Sequence, residues 1–443
     1  MYLDYFFTQF EKNSEKTAII WRDQFFSYQW LIDKTAEAKK YLQENSILPG
    51  QIVALRADFN PYSIAFFLAL VDNNNILVPI SYSVKTIDEF YEIAEVQAEI
   101  SFTGKDFTLR KIENQVSHSL LTGLIDKNRP GLIVFSSGST GKSKAAVHDF
   151  VPLLEKFKVS RMTLKTLTFL LFDHLGGINT MFYILSNSGT IVTPLDRSPD
   201  SICDAIEKYK VELLPTSPSF INYLLMTRVY EKYDISSLKM VSYGTEAMPE
   251  ATLKRFNALY PSITLRQTYG LSELGVMRTK SKSNDSLWVK VGGEDYATKI
   301  VNDILYIKAK TAMLGYLNAP SPFDEEGWFN TQDKVIVDGD WIKILGRETD
   351  IINVGGQKVY PAEVESALLE MDNIEDAYVA GKSNPILGNI VVAKILLNQD
   401  EPVSDLKRRI RSYCSSRLEG YKIPMEIEII QKHNISDRFK KIR

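Results

Sequence analysis

Apolar and polar positions along the chain come in alternating helical and extended blocks. "TAEAKKYLQENSI" (35–47) has helical composition, and after Pro49-Gly50 "QIVALRA" (51–57) reads as a strand. Helical "SIAFFLALVDN" (63–73) is followed by the apolar run "NILVPI" (75–80), and the alternation returns in "SPDSICDAIEKYKVELLPTSP" (198–218). Repeated alternation of this kind predicts an α/β architecture with largely parallel sheets. The texture changes after about Asn284. "VGGEDYATKIVNDILYIKAK" and "DKVIVDGDWIKILGR" read as short strands separated by turns such as Asp338-Gly339, so a small β-rich part is expected there. From "PAEVESALLEMDNIEDAYVAG" onward a helix, a strand and a second helix ("SDLKRRIRSYCSSRL") predict a compact α+β unit. We place the boundary at Gly346-Arg347, giving a multi-subdomain region 1–346 and a small mobile domain 347–443. No fixed-period repeat appears.

The length of 443 residues allows two or three domains with ample core. A net charge of −3 supplies no global field for nucleic acid or an anionic membrane. Two cysteines far apart, Cys203 and Cys414, argue against both a disulfide framework and a cysteine zinc site. The start "MYLDYFFTQFEKN" lacks the marks of a signal peptide, and the apolar run at "SIAFFLALV" is too short to span a bilayer. A cytoplasmic protein without membrane insertion or nucleic-acid partner is expected.

The stretch "VFSSGSTGKSKAAVH" (134–148) raises the question of chemistry. "GLIVF" (131–135) predicts a buried strand that delivers the chain into a run of small residues. Backbone N–H groups there can approach a polyanion, with hydroxyls from Ser136, Ser137, Ser139 and Thr140 and charge from Lys142 and Lys144. Gly141-Lys142-Ser143 matches the end of a P-loop, but the first glycine of that pattern is replaced by Ser136. A P-loop also runs straight into a helix. "KAAVHDFV" is compatible with helix or strand, so the loop alone leaves the question open.

Further motifs follow in order: "FDHLGGIN" (172–179), "SYGTEAMPE" (242–250), "TYGLSELG" (268–275), "GWFNTQD" (327–333), "ILGRETDIINVGGQKVYPAEVE" (344–365) and "NISDRFKKIR" (434–443). Together with the loop, this set resembles the AMP-forming adenylating superfamily of acyl- and aryl-CoA synthetases, luciferases and peptide-synthetase adenylation domains. The resemblance spans nearly the whole chain. It departs from the family loop at Ser143 and Ala145, where proline and glycine are usual.

The resemblance implies that a carboxylate attacks the α-phosphate of ATP, releasing pyrophosphate, and that a thiol then displaces AMP. It implies nucleotide binding by Ser136, Ser137, Gly138, Ser139, Thr140, Gly141 and Lys144, with Thr140 donating a hydroxyl. Gly244, Thr245, Glu246, Tyr269, Gly270 and Ser272 correspond to positions around adenine and the acyl pocket. Glu273 corresponds to the family's magnesium carboxylate, its ordinary alternative being a glutamate at a helix start. Asp333 and Arg347 resemble the ribose contacts, the alternative being a surface turn and salt bridge. Gln332 stands where glycine is usual.

His174, Gly176 and Gly177 resemble a substrate-pocket segment, although a lone histidine is more often structural. Lys441 aligns with the family's catalytic lysine, with Lys440 as second candidate and a solvated basic tail as the alternative. Glu348 and Thr349 fall at the family hinge, and Gly355 and Gly356 at the thiol tunnel. The implied activity is a ligase joining a small carboxylic acid to coenzyme A. Loading of a carrier-protein phosphopantetheine is the near alternative, for which "LKRRIRSYCSSR" is a candidate basic patch. A non-catalytic nucleotide binder is the third.

Overall fold

A computed structural model describes residues 2–137, 143–434, 436, 440 and 441, the side chain of Ser137 excepted. Two seven-stranded sheets form the centre. The first runs Gly315–Tyr316, Ser143–Asp149, Gly131–Ser137, Ile76–Ile80, Ile52–Arg56, Ala98–Thr103 and Asp106–Lys111. Its middle strands are parallel, and antiparallel pairs close both edges. The second runs Thr264–Gln267, Met240–Tyr243, Leu213–Thr216, Thr166–Leu167, Ile191–Thr193, Thr17–Trp21 and Gln24–Ser27, all parallel except the last pair.

Helix Pro61–Asp72 shows why these strands are continuously apolar. Asn60 caps it, accepting the N–H groups of Tyr62 and Ser63, while the Ser63 hydroxyl takes the Asn60 N–H. Its residues from Ile64 to Val71 are all buried, on every face of the helix. One cluster joins it to Val53 and Leu55 of the first sheet and to Ile19 and Ile191 of the second. The alternate residues Ile52 and Ala54 face the opposite side, into a separate cluster with Ile76, Val78 and Phe135. Strands covered on both faces lose the in-out polar alternation of a surface strand.

After these sheets comes a six-stranded antiparallel sheet in the order Arg278–Ser281, Trp288–Gly292, Trp341–Arg347, Phe329–Asp338, Ile304–Ala309 and Tyr296–Val301. It begins slightly earlier than the composition change at Asn284 suggested. The last sheet comprises Gln357–Val359, Ile352–Val354, Gly388–Leu397, Ile374–Asn384 and Glu426–Ile430. Helices Pro361–Leu369 and Val403–Cys414 pack on it around Val364, Leu368, Leu406 and Ile410. The expected α/β architecture with a smaller C-terminal α+β unit is what the chain adopts. Among the described residues no helix is long and apolar enough to cross a membrane.

Phe182 lies in the main core within 5.5–5.9 Å, centroid to centroid, of Phe6, Phe67, Phe150 and Phe157. Phe182→Ala is expected to lower unfolding free energy by about 3–5 kcal/mol, read from the denaturant midpoint. A loss under about 1 kcal/mol would show that this cluster collapses around the deletion.

Candidate active site

The segments on either side of the glycine/serine stretch are paired strands. Gly131–Ser137 pairs antiparallel with Ser143–Asp149, Ser136 facing Lys144 and Ser137 facing Ser143. The chain therefore leaves the loop as a strand, and the P-loop alternative, which requires a helix there, is excluded. Gly138, Ser139, Thr140, Gly141 and Lys142, and the Ser137 side chain, lie outside the described residues. Asn318 ties the base of the hairpin to the neighbouring strand: its side chain accepts from Ala145 N–H at 3.0 Å and donates to Ser143 O at 2.8 Å.

His148, on the same strand, is fully buried, and its Nε2 lies 2.7 Å from Ser272 O in the "YGLSE" segment. Burial pulls its pKa down to about 4, and backbone hydrogen bonds at Ser272 and Thr311 oppose only part of that. The neutral ring thus donates to the carbonyl that precedes Glu273. Glu273 is not at a helix start. It occupies the turn between the paired strands Gly270–Leu271 and Gly275–Val276, where its carbonyl accepts Met313 N–H at 2.8 Å. Its carboxylate accepts from the Tyr316 hydroxyl at 2.5 Å, and the Lys144 ammonium lies over the Tyr316 ring, 5.4 Å from the centroid. Tyr316, Asn318 and His148 were missed in the sequence reading. "GYLN" carries an aromatic and an amide beside a glycine, a signal too common to separate from an ordinary turn.

Asp333 is 7% exposed. The Tyr269 hydroxyl donates to its Oδ2, and Arg347 Nε lies 3.7 Å from Oδ1. Antiparallel pairing sets Asp333 directly opposite Arg347. Burial raises the Asp333 pKa, an effect countered by the Tyr269 hydrogen bond and the Arg347 charge. The Tyr269 phenol is pushed well above its usual value, first by burial and then by the neighbouring Asp333 charge. Gln332 keeps the left-handed conformation a glycine would adopt there, with φ of 60°.

Gly244 and Gly177 are required by space. A Cβ at Gly244 would meet Thr268 Oγ1 at 2.5 Å, and one at Gly177 would meet Leu171 O at 2.2 Å. Thr245 has φ of 74°, and Glu246 accepts Ser219 N–H at 2.8 Å and Lys441 N–H at 3.2 Å. His174 caps helix Leu175–Ser186 through Gly176 N–H, a structural role.

The structure thus brings together Asp333, Arg347, Tyr269, Glu273 and Lys144. It does not bring the Lys441 ammonium to them. That group lies in the C-terminal unit, 3.1 Å from Asp376 Oδ1 and 2.6 Å from Ala377 O. Glu348 and Thr349 form an exposed 3-10 turn with Asp350. Gly355 and Gly356 form an exposed hairpin turn, closed by Gly356 N–H to Asn353 Oδ1 at 2.9 Å.

Two predictions follow from this geometry. Because the folded pKa of His148 lies below its ordinary 6.5, the unfolded chain takes up the proton first. Stability is then lost as pH falls from 6.5 towards about 4, by about 3 kcal/mol in total. Urea titrations across that window should show the loss, and His148→Gln should flatten it. Gln332→Gly should raise the unfolding free energy, read from the urea midpoint, by about 0.5–1 kcal/mol, since relief of the left-handed strain exceeds the entropy cost of glycine. A decrease would mean that the glutamine side chain makes a compensating contact.

Residues 6–303 match the family description "AMP-binding enzyme", and residues 363–438 match "AMP-binding enzyme C-terminal domain". The 2-succinylbenzoate–CoA ligase of Bacillus pumilus is 22% identical over 479 residues, covering 97% of this chain and 94% of that protein. The indoleacetate–CoA ligase of Aromatoleum aromaticum is 26% identical over 332 residues, with 68% of this chain and 64% of that protein covered. Among solved structures, the anthranilate CoA ligase AuaEII in complex with anthranoyl-AMP superposes with a TM-score of 0.83 at 19% identity, over 99% of this chain and 95% of that one. The motifs, the sheets that present them and these matches agree: the chain belongs to the AMP-binding enzyme family, the AMP-forming adenylating enzymes.

Proposed function

We propose that the protein activates a small carboxylic acid with ATP and transfers the acyl group to the thiol of coenzyme A. The observation that carries this reading is a pair of clusters, Asp333 with Arg347 and Tyr269 and Glu273 with Tyr316 and Lys144, near enough for the Glu273 charge to act on Asp333 and the Arg347 charge on Tyr316. In the first step a carboxylate oxygen bonds to the α-phosphorus, the bond to the bridging oxygen breaks, and pyrophosphate leaves with its electron pair. In the second, the thiol sulfur bonds to the acyl carbon, AMP departs, and the thiol proton passes to solvent or buffer.

The chain's own groups divide that work by charge and shape. Asp333, as a carboxylate with two acceptor oxygens, suits the vicinal hydroxyls of ribose, and the Arg347 charge offsets part of the rise in its pKa that burial causes. Ser136 and Lys144 flank the loop proposed to cradle the β- and γ-phosphates. The Gly244 to Glu246 turn and Tyr269 border the proposed adenine and acyl positions.

Glu273 is proposed to contact Mg2+. A single carboxylate beside a phosphate loop suits a hard cation held chiefly by nucleotide oxygens and water, and such an ion would neutralise charge between the phosphates. The terminal lysines are proposed to supply a cation to the reacting carboxylate and α-phosphate. The boundary at Gly346-Arg347, rotation about Glu348 and Thr349, and use of Gly355 and Gly356 by the pantetheine arm belong to the same proposal, as does a cytoplasmic location.

Coenzyme A is favoured over an acidic carrier protein because the basic helix already spends part of its charge internally: Arg408 pairs with Asp405 and Arg409 with Glu401. The test is carboxylate-dependent exchange of labelled pyrophosphate into ATP across a panel of acids. Exchange with one acid class, followed by thioester formation only when coenzyme A is added, is expected. Asp333→Asn should raise the KM for ATP by about 10- to 100-fold through lost charged hydrogen bonds. Folded protein that binds ATP yet exchanges with no acid would instead make it a nucleotide binder.

A further inference from the structure

Three strands of the second sheet end at the turns of the candidate site, and their last residues form a row. Thr216, Tyr243 and Gln267 are register partners on the adjacent parallel strands Leu213–Thr216, Met240–Tyr243 and Thr264–Gln267. Register partners, and residues two apart along a strand, share a face. One layer earlier on that face the side chains are apolar. Leu214, Val241 and Leu265 are register partners of one another and lie in one buried cluster with residues of helices Pro199–Tyr209, Pro218–Thr227 and Glu250–Leu259. The face therefore turns from apolar to polar at its last step, directly before Ser217, Gly244 and Thr268.

The polar groups of this row are buried without partners. Thr216 is 2% exposed and Gln267 7%, and neither Thr216 Oγ1 nor Gln267 Oε1 makes a hydrogen bond among the described residues. Tyr243 is buried as well, and burial pushes its phenol up with no hydrogen bond contributing. The Ser219 hydroxyl, in the first turn of helix Pro218–Thr227, is buried and unbonded in the same way, although Glu246 holds the Ser219 N–H. A core position filled for packing alone would carry an apolar side chain, because a buried polar atom without a partner is destabilising. The carboxyl ends of parallel strands are where ligands of open α/β sheets bind. Unpaired polar groups gathered there point to a ligand that completes them.

We propose that Thr216, Tyr243 and Gln267 bind a neutral hydrogen-bond-donating substituent, a hydroxyl or an aryl amine, on the carboxylic acid that the protein activates. The inference rests on the adenylation proposed above and names the class of acid. Gln267 Oε1 only accepts, so its partner has to donate, whereas the hydroxyls of Thr216 and Tyr243 can turn to do either. No charged side chain belongs to the row, so a second carboxylate or an alkyl ammonium would be buried there without a counter-charge. The helices packed on this face leave the row open only towards the strand ends, a place for a substituent and not for a fused purine base. Plain alkyl acids and unsubstituted aryl acids leave the row unpaired and are poor substrates.

The experiment measures kcat/KM for pyrophosphate exchange on matched acids: hydroxybenzoates and aminobenzoates against benzoate and the methylbenzoates, and hydroxybutanoates against butanoate. At least one hydroxy or amino acid should exceed its unsubstituted partner by about 100-fold or more. Thr216→Val and Gln267→Met, close in shape to the residues they replace, should each cut that preference by about 10-fold or more without raising the KM for ATP. The urea midpoint reports folding, and Thr216→Val should hold or raise it because an unpaired buried hydroxyl is removed; where one variant fails to fold, the other carries the test. Exchange with benzoate or butanoate as fast as with their hydroxy partners would overturn the inference while adenylation stands, the row then being served by buried water. Variants that raise the KM for ATP and keep the acid preference would assign the row to the base and overturn it too. Exchange with no acid at all would fail the proposed function, and this inference with it.

Discussion

A carboxylate removed almost wholly from water has to be given donors, and Asp333 is the group around which that requirement organises the site. Its donor and counter-charge come from segments far apart in sequence, Tyr269 from the turn after the second parallel sheet and Arg347 from the partner strand. Its own N–H goes to Thr331 Oγ1 at 3.0 Å. The opposition of Asp333 and Arg347 exists only in one register of the Phe329–Asp338 and Trp341–Arg347 pair. A slip of one residue would turn the carboxylate to the other face, so the antiparallel sheet is a functional constraint as well as a structural one.

A second constraint carries this order to the strand that follows the glycine/serine stretch. His148 remains neutral because it is buried, and a neutral imidazole with one N–H can serve a carbonyl without bringing in a charge that needs a partner. It thereby couples the strand leaving the loop to the turn holding Glu273. Tyr316 closes the circuit from the next strand, which itself pairs with the strand carrying His148. Lys144 and Glu273 are thus linked through one side chain, the Tyr316 ring facing the ammonium and its hydroxyl donating to the carboxylate.

Much of this was legible in the sequence, and the parts that were not share a cause. The continuous apolar strands, the β-rich part and the C-terminal unit followed from periodicity because burial on both faces or one leaves a direct mark. The order of motifs identified the family and most of the residues around Asp333. Whether "KAAVHDFV" was helix or strand depended on its pairing with residues 131–137, a long-range fact that local pattern does not encode. His174 is placed in the substrate pocket by the resemblance although a lone histidine is more often structural, and its capping bond to Gly176 fits the structural role. Lys441 was ambiguous because its partners, Asp376 and Glu365, lie 65 and more residues away.

Two of the left-handed backbone positions scattered along the chain lie beside the candidate site. Gln332 and Thr245 both hold φ values of the left-handed region, which is uncommon for any side chain and least comfortable for a β-branched one. Thr245 stays there because its neighbours leave no alternative. Gly244 is closed against Thr268, whose N–H and hydroxyl both donate to Tyr243 O, at 2.7 and 3.0 Å. On the other side Glu246 is fixed between Ser219 and Lys441. A turn over-determined in this way is ordered before any ligand arrives. The entropy of fixing it is lost on folding, so a ligand bound beside it would not have to order it. The terminal segment shares in that arrangement, because the Glu246 carboxylate that holds Ser219 N–H also accepts Lys441 N–H.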